Sequence, residues 1–275
     1  MRKLSLVGFL LLAVVFNNSY AKSIFSDHSR VNNYSNEYKF NPFFKTIGCE
    51  NCEFLPPIPK LNAFDEAMLE VCGNWGNVPR NSNFISVLSN NKYQDEFDSI
   101  YNELNHQVIT PNADTETFKK ELAMVWFGHN AFRHVFCGEP NRSKLGGMHF
   151  VGRYLEAQEK GWAGITENKS CPKKELAEEI EHPIYTLGVD FLNPEKKVKT
   201  KCQGGYDYSW HAKDILILAT KALKDFQSEE QGMCLYDLPD GNKAVFVKKS
   251  SKAITTFYPD LTPHCDRGKT SCGCR

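Results

Sequence analysis

The sequence has no excess of charge of either sign, with 33 Lys and Arg residues against 33 Asp and Glu residues in a chain of 275. Proteins that bind nucleic acid without sequence preference are usually strongly basic. The balanced charge excludes that class, and any contact with nucleic acid must come from a local patch that reads few nucleotides. The chain also contains no internal repeat and no low-complexity tract.

Long hydrophobic runs are absent as well. A membrane-spanning helix needs about 18 or more consecutive apolar residues, and the longest apolar run, from Leu4 to Phe16, is shorter. This run follows Arg2-Lys3 and ends in Asn-Asn-Ser-Tyr-Ala, a pattern typical of a secretory signal peptide cleaved after Ala21. The residue directly after the cleavage site is a lysine and not a cysteine, which argues against a lipoprotein anchor. The sequence therefore predicts an exported protein, secreted or periplasmic, that loses residues 1–21.

The exported part is slightly acidic and rich in cysteine. Removing Arg2 and Lys3 leaves 31 basic residues against 33 acidic ones, and all ten cysteines follow residue 21. An even number of cysteines in an oxidising compartment predicts disulfides. Zinc is the competing interpretation, because Cys49-x-x-Cys52 has the spacing of zinc ligands. The further potential zinc ligands are His264, Cys265, Cys272 and Cys274. Export to an oxidising compartment favours disulfides over zinc.

The hydrophobic periodicity predicts helices first and mostly strands later, which is an α+β fold. Residues 22–60 show little periodicity and are predicted to be irregular. We predict strands over 131–137, 233–238, 244–249 and 253–258, the last three forming an antiparallel meander with an Asp-Gly turn. The predicted helices cover residues 63–72, 93–105, 115–127, 150–160, 173–181 and a segment capped by Ser209 that runs to about residue 226.

Two histidines, His134 and His149, are the first candidates for chemistry. His134 lies in an apolar run, and His149 follows a Gly-Gly turn fifteen residues later. The unperturbed pKa of a histidine is about 6.5, so one ring can donate a proton while another accepts one near neutral pH. Any two histidines could do this, and a core or surface role is the alternative on spacing alone.

Five short blocks make the pattern more specific. Residues 126–130 read Trp-Phe-Gly-His-Asn, residues 134–139 His-Val-Phe-Cys-Gly-Glu, and residues 147–149 Gly-Met-His. Residues 201–205 read Lys-Cys-Gln-Gly-Gly, and residues 256–259 Thr-Phe-Tyr-Pro. In this order the blocks resemble the signature of the EndoU family, which comprises uridylate-preferring endoribonucleases.

The resemblance implies both a fold and a reaction. The fold would have a helical N-terminal half and a catalytic half in which small antiparallel sheets flank a cleft. The reaction would cleave RNA 3′ of uridines by attack of the ribose 2′-hydroxyl, leaving a 2′,3′-cyclic phosphate and a 5′-hydroxyl. By resemblance His149 is the general base, His134 the general acid and Lys201 the third catalytic residue. The two histidines could also exchange roles, and Lys201 lies in a lysine run that by itself is typical of a solvated face.

Three further residues are candidates for substrate binding through the same resemblance. Thr256 and Tyr258 alternate along a predicted strand and so share one face. The hydroxyl of Thr256 could pair with uracil and the ring of Tyr258 could stack on the base or ribose. An ordinary strand, in which both residue types are common, is the alternative. Glu139 belongs to the same set, with orientation of His134 or of its loop as its predicted role.

One departure from the family pattern concerns metal. Animal members carry a glutamate directly before the first histidine, whereas this chain has Arg133. The resemblance implies manganese as a possible cofactor, but an arginine is not a metal ligand, which argues against manganese dependence here. We predict no metal site and no required cofactor. The predicted domains after the signal peptide are a cysteine-bearing N-terminal region (22–75), the catalytic domain (76–260) and a cysteine-rich tail (261–275).

Two other functional classes stay open at this stage. The chain could be a non-catalytic exported module that binds RNA or a protein, or an exported zinc-binding protein. A cysteine hydrolase using Cys137 is disfavoured, because that residue lies in an apolar segment with no positioned partner. The predicted substrate is RNA, an inhibitor or immunity protein is a possible partner, and no oligomeric state is predicted. An exported nuclease would suit a toxin or a scavenging enzyme.

Overall fold

In the computed structural model, the described residues belong to one compact unit, residues 38–275. The described residues are 40–46, 55–166, 183–226, 231–261, 263, 270–271 and 273–274. Predictions for the signal peptide, for Cys49 and Cys52, for the helix over 173–181 and for His264, Cys265 and Cys272 lie outside them. Among the helices of the described residues, none is long and apolar enough to cross a membrane.

Helices make up the first half of the described chain, as predicted. The helices are α1 (Ala63–Cys72), α2 (Asn81–Leu88), a 3₁₀ turn (Asn91–Tyr93), α3 (Gln94–Glu103), α4 (Thr115–Phe127), a π-helical turn (Arg133–Cys137), α5 (Val151–Glu159) and α6 (Ala212–Asp225). The predictions for α1 and α4 are confirmed at both ends. The side chains of Asn62 and Asp114 accept hydrogen bonds from backbone N–H groups in the first turns of these helices. Such N-cap residues can be recognised from the sequence. Helix α2 was not predicted, because it begins after Arg80 without a side-chain cap.

The strands form small antiparallel sheets, which confirms the α+β class. The strands are β1 (Glu139–Pro140), β2 (Leu145–Gly146), β3 (Ala163–Ile165), β4 (Ile184–Leu192), β5 (Val198–Asp207), β6 (Gly232–Asp237), β7 (Lys243–Ser250), β8 (Ala253–Asp260) and β9 (Thr270–Ser271). Strand β1 pairs with β2, a three-stranded sheet has the order β3-β4-β5, and a four-stranded sheet has the order β8-β7-β6-β9. The predicted meander is confirmed as β6, β7 and β8, and β9 joins β6 in parallel.

The prediction of a strand over residues 131–137 is wrong. Residues 133–137 form a π-helical turn that continues a helical residue pair, Ala131 and Phe132. The side chains of Ala131, Phe132, Val135 and Phe136 are all fully buried. Pairs of buried residues four positions apart follow a helical period, so a short apolar run that resembles a buried strand packs as a helical turn here. Single π-helical turns of this kind occur frequently at functional sites.

The prediction that Ser209 caps the sixth helix is also wrong. Helix α6 begins at Ala212, and its first backbone N–H donates to Asp65 Oδ1 at 2.7 Å. Asp65, which is fully buried in α1, also accepts from His211 Nδ1 at 2.6 Å. A carboxylate from a helix distant in the sequence therefore caps α6, and local sequence cannot reveal such a cap.

Disulfides connect several elements, as the cysteine count predicted. Cys72 at the end of α1 pairs with Cys137 at the end of the π-helical turn, with 5.3 Å between their Cα atoms. Cys234 in β6 pairs with Cys274 in the C-terminal tail. Cys202 in β5 is disulfide-bonded as well. The sulfur of Cys274 is therefore not a zinc thiolate, which weakens the zinc interpretation of the tail.

Candidate active site

The Gly-Gly turn brings the two histidine segments against each other. Gly147 has a φ of +61°, and a Cβ at this position would lie 1.7 Å from the carbonyl oxygen of His134, so no other residue fits. The next two backbone N–H groups bind the π-helical turn, Met148 N to His134 O and His149 N to Val135 O, each at 2.7 Å. The two imidazole rings consequently lie with their centroids 5.7 Å apart.

His134 is oriented by a carboxylate. Its Nδ1 lies 3.0 Å from Glu139 Oε2, and both side chains are about a quarter exposed. The hydrogen bond from His134 is the main cause that lowers the pKa of Glu139 below its usual value, so the carboxylate is charged at neutral pH. An ionised carboxylate only accepts hydrogen bonds, so Nδ1 of His134 carries a hydrogen and Nε2 is the atom left for proton transfer.

His149 is oriented differently, by a backbone carbonyl. Its Nδ1 lies 3.1 Å from the carbonyl oxygen of Gly205, and the side chain is only 5% exposed. A carbonyl only accepts, so Nδ1 carries the hydrogen and Nε2 of the neutral ring presents a lone pair. Burial, and secondarily the proximity of His134, lower the pKa of His149 to about 3. The sequence-based expectation that both rings titrate near pH 6.5 therefore fails for His149.

The Lys-x-x-Gly-Gly block contains a β-bulge that makes this contact possible. In the β4–β5 pairing Tyr185 faces Tyr206 and Leu187 faces Gln203, so Gly204 and Gly205 together oppose one residue of β4. A Cβ on Gly204 would lie 3.2 Å from the ring of His149 and 3.1 Å from that of Tyr258. A Cβ on Gly205 would lie 2.2 Å from the carbonyl oxygen of Pro259. The two glycines let β5 approach both His149 and β8.

Strand β8 places the predicted uridine-reading residues beside His149. The ring of Tyr258 stacks on that of His149, with centroids 4.6 Å apart and planes 15° from parallel. Thr256 precedes Tyr258 by two residues in an unbroken part of the β7–β8 register, so both side chains lie on the same face of β8. Thr256 is 8% exposed, and its hydroxyl has no hydrogen-bond partner among the described residues. Burial raises the pKa of Tyr258 to about 12, so its hydroxyl stays protonated.

Lys201 is exposed on β5, three residues before the bulge. Among the described residues, no hydrogen bond or ion pair engages its ammonium group. Lys201 therefore lies on the strand whose bulge contacts His149, and among the described residues it makes no hydrogen bond to either histidine.

Arg133, which stands where animal EndoU proteins have a glutamate, forms a hydrogen bond to the backbone. Its terminal nitrogen Nη2 donates to the carbonyl oxygen of Gly76 at 3.1 Å. Among the described residues, no three His, Cys, Asp or Glu side chains are grouped so that they could hold a metal ion.

A buried arginine behind the site was not predicted from the sequence. Arg153 of α5 is 1% exposed, and its guanidinium lies over the rings of Trp75 and Trp162. Its Nε donates to the carbonyl oxygen of Cys137 at 2.8 Å, and its Nη1 to that of Gly73 at 3.0 Å. Arg153 therefore joins the ends of α1 and the π-helical turn, beside the disulfide that links them. Nothing in the local sequence marks it, since its partners come from distant segments.

The low pKa of His149 makes stability depend on pH. Between about pH 6.5 and pH 3 the unfolded chain protonates this imidazole and the folded chain does not. The free energy of unfolding should then fall on acidification through this window, by about 1.4 kcal/mol per pH unit from this group. In H149N the asparagine Nδ2 can still donate to Gly205 but takes up no proton. Urea unfolding at a series of pH values should give a shallower dependence for H149N than for the wild type.

The control is H106N, which removes an exposed imidazole at a φ of +56°, where asparagine is well tolerated. If H149N and the wild type lost stability in parallel as the pH falls, His149 would not be held neutral by burial.

Comparisons with known proteins show what this chain is similar to. Residues 128–261 match the sequence model of the bacterial EndoU nuclease family, and this range contains all six candidate site residues. No curated protein matches the chain. A solved structure of XendoU, a splicing-independent snoRNA processing endoribonuclease, is similar at 18% identity with a TM-score of 0.45, covering 72% of this chain and 74% of that chain. Residues 128–261 of this chain are thus similar to the bacterial EndoU nucleases, which confirms the resemblance seen in the sequence blocks.

Proposed function

We propose that this protein is an exported endoribonuclease that cleaves RNA 3′ of uridines without a required cofactor. The match of residues 128–261 to a nuclease family supports RNA cleavage in general. The observation that carries the mechanism is the unequal environment of the two histidines. His149 is buried and neutral with a lone pair on Nε2, while His134 lies beside the charged carboxylate of Glu139.

These environments suit opposite halves of one reaction. His149 Nε2 removes the proton from the ribose 2′-hydroxyl, whose oxygen forms a bond to phosphorus. His134 Nε2 donates a proton to the 5′-oxygen as the bond between that oxygen and phosphorus breaks. The products are a 2′,3′-cyclic phosphate and a 5′-hydroxyl, and a later proton exchange between the rings and water restores the starting state. The carboxylate of Glu139 engages Nδ1 of His134, which leaves Nε2 for the proton transfer to the leaving oxygen.

A pKa of about 3 would make His149 a weak base in the free protein. The bound phosphodiester carries a negative charge, which favours the protonated ring and so increases the basicity of His149 when substrate is present. With the ring centroids 5.7 Å apart, one phosphodiester can contact both rings, since each hydrogen bond spans about 2.6–3.2 Å. Lys201 supplies a positive charge toward the phosphorus oxygens as their charge increases.

Thr256 and Tyr258 select the base in this proposal. The unpartnered Thr256 hydroxyl lies on the same face of β8 as the Tyr258 ring that stacks on His149. A uracil placed there would satisfy the hydroxyl, and Tyr258 would contact the base or ribose. Cytosine reverses the donor and acceptor character of two of the three positions on this edge of the base. A mismatched buried polar group costs about 1–3 kcal/mol.

We expect T256V to reduce the preference for uridine more than it lowers the rate at the best site. Valine has nearly the same shape as threonine and lacks the hydroxyl, so the loss of preference reports on the hydrogen bond. T256S, which retains the hydroxyl, is the matched control and should keep the preference. The measurement is sequencing of the cut ends from a mixed RNA pool. If the wild type cut equally after all four bases, Thr256 would not read uridine.

The reaction itself is tested by the ends that it produces. The chain without residues 1–21 is incubated with a short RNA containing one uridine, with and without EDTA, and the products are identified by mass spectrometry. The proposal requires a 2′,3′-cyclic phosphate, a 5′-hydroxyl and the same rate in EDTA. Ends carrying a 5′-phosphate, or loss of activity in EDTA, would contradict it, and absence of cleavage would favour a binding protein.

A further inference from the structure

Five basic side chains outside the proposed catalytic set lie on two neighbouring hairpins. Arg142 and Lys144 belong to the turn between β1 and β2, and Lys196, Lys197 and Lys199 to the β4–β5 hairpin. We call these five residues the basic hairpin surface. Four of them are exposed and Lys199 is partly exposed.

A buried amide joins the two hairpins. Asn193 is 3% exposed, and its Nδ2 donates to the carbonyl oxygen of Arg142 at 3.0 Å. Its Oδ1 accepts from the backbone N–H groups of Glu195 at 3.0 Å and Lys197 at 2.8 Å, which fixes the turn of the second hairpin. The two tips are therefore held side by side, and their charges form one surface.

Among the described residues, one acidic side chain offsets part of the charge of this surface. Glu195 forms ion pairs with Arg142 at 3.1 Å and with Lys197 at 3.3 Å. Among the described residues, no acidic side chain pairs with Lys144, Lys196 or Lys199. Exposed ion pairs are weak and are screened by salt. A chain whose exported part has 31 basic and 33 acidic residues thus concentrates positive charge at this place.

Both hairpins lead directly to the candidate active site. The first begins at Glu139, which binds His134, and the second continues through Lys201 into the Gly204–Gly205 bulge that binds His149. Lys199 precedes Lys201 by two residues, about 7 Å along β5. A strand of RNA whose scissile phosphate lies between the histidines would therefore pass near this surface.

We propose that the basic hairpin surface binds the phosphates that flank the cleavage site in a single-stranded RNA. This inference rests on the proposed function and adds a second part to it, in which Thr256 and Tyr258 select the nucleotide and the hairpins increase affinity for longer chains. Lysines are flexible point charges that follow a phosphate backbone without reading bases. The contribution is therefore independent of sequence and sensitive to salt.

The test compares two substrates and two double variants. The substrates are the dinucleotide UpA, which has one phosphate, and a 12-nucleotide RNA with a single uridine. The variants are K196E/K199E on the surface and, as the control, K92E/K120E on the helical half, where both lysines are exposed. At low salt, K196E/K199E should lower kcat/KM for the 12-nucleotide RNA roughly tenfold relative to its effect on kcat/KM for UpA. K92E/K120E should leave both values unchanged.

Binding is measured separately with a 12-nucleotide RNA that carries 2′-deoxyuridine and cannot be cleaved. The slope of log Kd against log salt should decrease by about 1.4 in K196E/K199E, since each phosphate contact to a single strand contributes about 0.7. Equal losses on UpA and the longer RNA, an unchanged salt slope, or an equal effect of K92E/K120E would each overturn the inference. Failure of the wild type to cleave UpA and the longer RNA would instead refute the proposed function, and the binding arm would still decide whether the surface holds RNA.

Discussion

H149N should cleave RNA at least about 100-fold more slowly than the wild type, the scale on which loss of a general base acts. Asparagine Nδ2 can replace the hydrogen bond from Nδ1 to Gly205, so the local backbone keeps its partner. Asparagine has no equivalent of the Nε2 lone pair, and the 2′-hydroxyl would lose its proton acceptor. The measurement is the single-turnover cleavage rate of a short RNA with one uridine at saturating enzyme.

H106N is the matched control, because it makes the same substitution at an exposed histidine of the helical half. It should cleave at the rate of the wild type. Circular dichroism and a melting curve establish that H149N is folded. A folded H149N with near-normal activity would remove His149 from the mechanism.

A second large effect is expected at His134, where H134N should also lose at least about 100-fold in rate. The asparagine can still donate to Glu139, but it offers no proton at the position of Nε2. E139Q provides a graded comparison, because the amide oxygen can accept from Nδ1 without the negative charge. Its rate should lie between those of the wild type and H134N, measured in the same single-turnover assay.

If E139Q were as slow as H134N, Glu139 would do more than orient and stabilise the ring. If H134N retained most of the activity, the proton for the leaving oxygen would come from another donor. Either result would require a different assignment of the residues around His134.

The fold could be predicted where local signals were complete. Helix α4 has a capping aspartate, an apolar stripe and a glycine at its end, and its predicted bounds are confirmed. The strand prediction for residues 131–137 was wrong because a short, buried apolar run is compatible with either a strand or a helical turn until its packing neighbours are known. Strand β5 was missed because its first residues, Val198 to Lys201, are mostly exposed and show no regular alternation of buried and exposed positions. Strand β4 was missed although its residues are largely apolar and buried.

The candidate site was predictable as a set of residue types, and its geometry was not. The blocks around His134 and His149 identified both rings, but their surroundings come from distant parts of the chain. The carbonyl of Gly205, 56 residues after His149, sets its tautomer and depends on a bulge between two strands. Burial, which lowers the pKa of His149, likewise results from packing against Tyr258 and β5. A sequence pattern does not distinguish acid from base, and the proposed assignment rests on these contacts.

The division of labour between the two histidines is the central claim, and one substrate tests it directly. An RNA with sulfur in place of the scissile 5′-bridging oxygen has a thiolate leaving group, which needs no proton because a thiol has a pKa of about 8.5. H134N should cleave this RNA within about tenfold of the wild-type rate, since the step catalysed by the acid is no longer required. H149N should stay at least about 100-fold slower than the wild type, because the 2′-hydroxyl still needs a base. Recovery of H149N in place of H134N, or recovery of neither variant, would contradict the assignment.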